Sequence, residues 1–302
     1  MRMSRDVRGR ARRTVTALVA AGTLLGAGAG AGVAAGAGAA GASVGANPPG
    51  PPEYYLALGD SLAAGVGSND GKGYVADIFA EEARTVPGLV LENLSCSGAT
   101  TGSMINGPGC SYTTTQLGDA EAFLEAHPGQ VAFVTIDIGA NDVDGCTSGT
   151  TINEACVSQG LTDVTNDLPV ILSGLRSAGG STPIVGMSYY DPFLAAWLLG
   201  SSGHTLARQS VTLLDDLNGI LRSDYGAADT ADVADAFKSS DFARHGSYGG
   251  RTVPVNVGKI CHWTLMCTEE NIHADDKGHA HIAKAFEEVL GPILAADGRA
   301  RP

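Results

Sequence analysis

From residue 54 onward, short apolar runs alternate with longer stretches in which apolar residues return every three or four positions. Residues 54–58, 88–95, 130–139 and 183–190 predict strands, because each run is short, apolar and bounded by turn-forming residues. Residues 74–84, 116–126 and 161–178 predict amphipathic helices, the last with Pro169 as a candidate kink. Leu206, Leu213, Leu217 and Leu221, and later Ile282, Phe286, Val289 and Ile293, recur near helical spacing. Strands alternating with helices predict an α/β fold, a parallel sheet covered by helices on both faces.

A parallel sheet gathers its strand C-termini on one edge, and the loops there form the ligand site. After the first three predicted strands come Gly-Asp-Ser-Leu (59–62), Cys-Ser-Gly-Ala-Thr-Thr (96–101) and Gly-Ala-Asn-Asp-Val (139–143). These loops are therefore expected to converge. Ser61 at a strand end has the placement of a nucleophile, although Gly, Asp and Ser are also ordinary turn and cap residues. An acyl transfer through Ser61 needs oxyanion donors, for which the amides of Ser61 and Gly98 and the side chain of Asn141 are candidates. It also needs a base. His273, just ahead of the C-terminal helical pattern, is the candidate.

Other chemistry-bearing residues read more blandly. Asp60 is expected to hold loops, and Asp191 to close the fourth strand with a turn before Pro192. His279 and His281 are two residues apart on a helix, face different ways and read as surface histidines; His262 is left open. Phe193, Leu194, Trp197, Leu198 and Leu199 follow the fourth strand and suit either an acyl-binding surface or the core of a short helix. Neither the Gly-x-Ser-x-Gly elbow nor a His-Glu-x-x-His zinc motif occurs.

The first thirteen residues hold six arginines against Asp6, and a long Ala- and Gly-rich stretch follows, which is the layout of a secretory signal. Residues 1–45 are expected to be a cleaved leader and low-complexity segment, and residues 53–302 the functional domain. Arg12-Arg13 leaves a twin-arginine route open, and no stable membrane span is expected. The net charge of −13 becomes more negative once the basic leader is set aside, which excludes nucleic acid as a partner. Six cysteines follow the leader and fit an oxidising compartment. They allow fifteen connectivities, of which pairing of sequence neighbours, Cys96 with Cys110, Cys146 with Cys156 and Cys261 with Cys267, is the simplest. A zinc site lacks any Cys-x-x-Cys pair.

With these residues in place the chain resembles the SGNH, or GDSL, hydrolases, and among them the secreted actinobacterial lipases and esterases. Gly-Asp-Ser-Leu resembles the family's nucleophile block, Asn-Leu-Ser-Cys-Ser-Gly-Ala-Thr-Thr its oxyanion-glycine block, Gly-Ala-Asn-Asp its asparagine block and Ile-His-Ala-Asp-Asp the histidine block. The resemblance implies a flavodoxin-like three-layer α/β/α sandwich with five parallel strands. It also implies hydrolysis of lipid or small acyl esters through an acyl-Ser61 intermediate, with His273 as base and no cofactor or metal. Polysaccharide deacetylation, phospholipid hydrolysis and a non-catalytic wall-binding role are the alternatives, and a monomer is expected. The family commonly places an aspartate three residues before the histidine, and Glu270 stands there. Either Glu270 or a main-chain carbonyl around Trp263 is then expected to orient His273.

Overall fold

The computed structural model describes residues 52–107, 110, 113–149 and 151–299, so the expected leader falls outside the described part. Five parallel strands form the central sheet: β1 (Glu53–Gly59), β2 (Leu89–Asn93), β3 (Val131–Asp137), β4 (Ile184–Met187) and β5 (Thr230–Ala231). Their order is β2-β1-β3-β4-β5, the flavodoxin-like arrangement. All seven residues of β3 are buried, whereas β2 at the sheet edge is mostly half-exposed or exposed. A strand enclosed on both faces has to be apolar throughout, and Val-Ala-Phe-Val-Thr-Ile-Asp nearly is.

Helices flank the sheet. α1 (Gly73–Thr85) packs on the C-terminal helix, and α3 (Gln116–Ala126) packs on α4 (Glu154–Gly179), which contacts α5 (Ser201–Tyr225). Between β2 and α3 a short α2 (Thr101–Asn106) starts at a reciprocal cap, in which the Thr100 and Ser103 side chains each accept from the other's amide. α6 (Val255–Trp263) and α7 (Asp276–Ala296) complete the chain.

Helix starts follow local caps more than the apolar period. α4 begins seven residues before the predicted start because Asn153 accepts from the Cys156 amide, and it continues past Pro169. Disulfide bonds join Cys96 to Cys110, Cys146 to Cys156 and Cys261 to Cys267. The first lies in the loop after β2, the second ties the turn after β3 to α4, and the third ties α6 to the short helical turn Met266–Glu269 that precedes His273.

Candidate active site

β1 and β3 are adjacent, and the chain leaves them toward opposite sides, so a crevice opens where their C-terminal loops part. Gly59 ends β1 at φ +137°, a conformation L side chains rarely adopt, and a Cβ there would lie 1.5 Å from Asp137 Oδ1. The buried Gln116 amide clamps this residue: the Gly59 amide donates to Oε1 (2.7 Å) and Nε2 donates to the Gly59 carbonyl (3.0 Å). The Asp60 amide donates to Asp137 Oδ1 at 2.8 Å, and Asp60 accepts from the Leu62 amide (2.9 Å) and the Tyr189 hydroxyl (2.8 Å). Ser61 is thus held on both sides. Asp60 does hold loops, as its sequence position predicts. Burial pushes its carboxyl up to about 6, and burial next to Asp60 pushes Asp137 well above the usual carboxylate range.

His273 reaches Ser61 from the far end of the chain, with Nε2 2.8 Å from Oγ. Its loop is fixed by three bonds. The Leu265 amide donates to the His273 carbonyl (3.0 Å), the Tyr190 hydroxyl donates to the Ile272 carbonyl (2.8 Å), and Asp275 caps α7. Asn271 Oδ1 accepts from the His273 amide (3.1 Å) and lies 2.5 Å from Nδ1. A backbone amide only donates, so the Asn271 atom it meets is the oxygen, and Nδ1 must carry the ring proton. Nε2 is therefore the acceptor facing Ser61. Burial, with His279 nearby, holds the His273 pKa below its ordinary value.

The expectation for Glu270 is corrected by this arrangement. Glu270 is exposed, ends a short helical turn at φ +53° and makes no hydrogen bond to the imidazole, which Asn271, one residue on, meets instead. The Trp263 carbonyl is likewise engaged elsewhere, accepting from the Asp275 amide at 3.0 Å.

The remaining loops complete the crevice. Gly98 is exposed at φ +82°, a backbone conformation that suits glycine. Asn141, in the turn Ala140–Asp142, donates through Nδ2 to the Ala99 carbonyl at 3.0 Å, tying the Gly98 loop to the loop after β3. Asp142 reinforces that tie by accepting from the Thr101 amide (3.0 Å) and hydroxyl (2.8 Å). Asn141 bonds the Ala99 carbonyl through one N–H of its amide and, among the described residues, keeps a second N–H uncommitted.

A cavity of about 80 Å3, partly open to solvent, extends from Ser61, Asn141 and His273 between Val157, Leu213 and Phe193. Phe193 lines it and Trp197 does not; Trp197 instead stacks on His204 at 3.8 Å with Arg208 above the ring. Asp191 caps the 3-10 segment Pro192–Leu199 through the Phe193 amide (2.8 Å), accepts from the Ser210 hydroxyl (2.7 Å) and also faces the cavity. His279 is a further correction. It is 1 % exposed, accepting at Nδ1 from the Tyr74 amide (3.2 Å) and donating to the Val66 carbonyl (3.1 Å), so it locks α1 and the loop after Ser61 onto α7. His281 is partly buried and stacks on Trp263 at 3.7 Å, and His262 is exposed and bonds the Ser247 carbonyl. Among the described residues no group of His, Cys, Asp and Glu is arranged to hold a metal.

Gln116, Asp137, Tyr189 and Asn271 support the site without having been singled out by the sequence. Three of them act across 50 or more residues and leave no local signal; Asn271 lies two residues from His273 and fits the ordinary preference of Asn for turns that bond a nearby amide.

A serine hydroxyl facing the unprotonated nitrogen of an oriented imidazole, beside an uncommitted Asn141 N–H and an apolar cavity, can transfer an acyl group. Comparisons point the same way. In solved structures the fold is similar to the lipase Lip_vut3 from a goat rumen metagenome, at 17% identity and TM-score 0.53 over 82% of this chain and 99% of that one. It is also similar to phospholipase A1 from Streptomyces albidoflavus NA297, at 20% identity and TM-score 0.51 over 80% and 99%. No curated protein matches in sequence. The sequence profile of the GDSL-like lipase/acylhydrolase family matches residues 57–281, a span that runs from the end of β1 through His273, and the chain belongs to that family.

Proposed function

We propose that the protein is a secreted serine carboxylester hydrolase, of the kind found among actinobacterial lipases and esterases, acting on lipid or small acyl esters. The observation that carries this reading is the 2.8 Å contact between Ser61 Oγ and a His273 Nε2 left unprotonated by the Asn271 bond. Ser61 Oγ attacks the acyl carbon as its proton passes to Nε2, and the imidazolium returns that proton to the departing alcohol. Water then adds to the acyl-Ser61 ester with His273 again as base, releasing the carboxylic acid. The Ser61 and Gly98 amides and Asn141 Nδ2 are the oxyanion donors. The apolar cavity beside Ser61 supports an acyl chain as the bound group. Family membership supports ester hydrolysis; the described disulfide bonds, and the absence among the described residues of a helix long and apolar enough to cross a membrane, fit export by the N-terminal leader.

A fluorophosphonate probe tests the nucleophile directly, since it forms a stable phosphonyl ester only with an activated serine. Peptide mass spectrometry is expected to place the adduct on the peptide containing Ser61, and Ser61→Ala to abolish it. Labelling elsewhere, or none on folded protein, contradicts the reading.

A further inference from the structure

Tyr189 and Tyr190 lie on the short segment that follows β4, and both are buried. The Tyr189 hydroxyl donates to Asp60 Oδ2 and the Tyr190 hydroxyl to the Ile272 carbonyl, each at 2.8 Å. Asp60 is the residue before Ser61, and Ile272 is the residue before His273. Two neighbours on one segment therefore hold the nucleophile and the base, 212 residues apart in the chain, each by the residue ahead of it.

The segment itself is fixed from the sheet and from α5. The Ser188 amide donates to the Ala231 carbonyl of β5 at 3.0 Å, and the Tyr190 ring stacks on buried Phe237 at 4.5 Å. Asn218, fully buried on α5, accepts from the Tyr189 amide (2.8 Å) and donates to its carbonyl (3.0 Å), the same two-bond clamp that Gln116 makes on Gly59. A buried tyrosine hydroxyl needs a partner, but any acceptor would satisfy it. Burial alone does not explain why both partners adjoin the catalytic pair. Gln116 and Asp137 steady Ser61, and Asn271 orients His273, yet each of these acts on one loop. His279 does join both sides, but it reaches Val66, five residues past Ser61, from a position six past His273. Resting on the ester-hydrolase reading, we propose that Tyr189 and Tyr190 act together as a strut: they are positioning residues that set the distance between Ser61 Oγ and His273 Nε2, with Asn218 as the footing.

The test sets Tyr189→Phe, Tyr190→Phe and the double variant beside Tyr55→Phe, which deletes an equally buried hydroxyl, bonded to Thr135 at 2.8 Å between β1 and β3. Each strut variant is expected to lower kcat on p-nitrophenyl acetate roughly 10- to 100-fold with KM little changed, and Tyr55→Phe to leave kcat within about twofold. Because alignment needs both ends, the double variant is expected to lose no more than about threefold beyond the worse single variant. Losses that multiply overturn the strut, since each hydroxyl then serves only its own loop. An equal kcat loss in Tyr55→Phe overturns it as well, by making the effect one of general stability. A second readout requires no turnover. At pH ~8, where the imidazole is neutral, the nitrogen-15 NMR signal of His273 Nε2 reports whether it accepts from Ser61. In both tyrosine variants the signal is expected to move toward its position in Ser61→Ala, and in Tyr55→Phe to stay. A signal that stays in Tyr190→Phe, whose half-buried partner carbonyl water can reach, overturns the proposal even where Tyr189→Phe does not fold. Unaltered protein that is inert on the ester while Nε2 responds to the variants rejects the esterase reading alone, and turnover with an unresponsive Nε2 rejects the strut alone.

Discussion

At the scale of single residues, the histidine is oriented by a neutral amide. An amide oxygen fixes the tautomer as a carboxylate does, because it also only accepts, but it lends no charge to the imidazolium. Asn271→Ala is therefore expected to lower kcat/KM by roughly 10²-fold through loss of orientation. Asn271→Asp places a negative charge beside the ring, favours the charged form, and moves the acid limb of the pH profile to higher pH. In the unaltered enzyme that limb lies below the ordinary histidine value, since burial depresses the His273 pKa and the base fails only once pH falls through it. An acid limb that does not move in Asn271→Asp contradicts this account. Glu270→Ala is expected to leave the profile in place, as Glu270 is exposed and makes no contact with the imidazole. The choice between neighbours 270 and 271 was illegible in sequence because both are polar residues able to accept from an imidazole N–H, and only the folded loop brings Asn271 to it.

At the scale of elements, β1 and its loop act as a mount. Gly59 cannot carry a Cβ, Gln116 bonds both of its backbone polar groups, and Asp60 is gripped from β3 and from the residues after β4. Gln116→Leu strands the buried Gly59 amide and is expected to cost about 1–3 kcal/mol in denaturant unfolding, with a fall in kcat. A variant as stable and active as the parent removes Gln116 from the mount. Much of this level was legible. The apolar runs located β1 to β4, the loop blocks at the sheet edge located Ser61 and Asn141, and residues 116–126 of the helical pattern coincide with α3. β5 escaped because two residues, Thr230–Ala231, in a polar surround carry no periodicity. His279 was misread because its neighbours come from α1 and from the loop after Ser61, far away in sequence. The sequence leaves residues 193–199 open between an acyl-binding surface and the packing of a short helix; the 3-10 segment lines the cavity with Phe193 and stacks Trp197 on His204.

At the scale of the whole molecule, stability is set by closed loops and buried acids. Each disulfide closes a short loop, spanning 14, 10 and 6 residues, and in the chain-entropy treatment each contributes about 2–3 kcal/mol. Losing one by paired Cys→Ser substitution is expected to lower Tm by about 5–10 °C in a calorimetric scan. The buried acids act through pH. Asp60 and Asp191 hold protons in the folded state, with pKa values of about 6 and about 7, that the unfolded chain releases near 3.8. Their contribution is therefore complete below the unfolded pKa and lost as pH rises through the folded values. His279 works in the opposite sense: burial lowers its pKa, so stability falls as acidification protonates the unfolded chain near 6.5. His273 and His281, also lowered by burial, act in the same sense as His279. The raised carboxyls of Asp60, Asp137, Asp144 and Asp191 outnumber these histidines, and Tm is expected to be higher near pH ~5.5 than near pH ~8. The reverse ordering contradicts the account of these groups.

The central claim is an acyl-enzyme at Ser61 served by His273. It is tested most directly by hydrolysis of a p-nitrophenyl ester series from acetyl to palmitoyl, by the protein and by Ser61→Ala side by side. The account predicts turnover that falls by at least roughly 10³-fold without the serine hydroxyl, on acyl lengths that the apolar cavity accepts. Activity that persists in Ser61→Ala, or a folded, disulfide-intact protein inert on every member of the series, contradicts it.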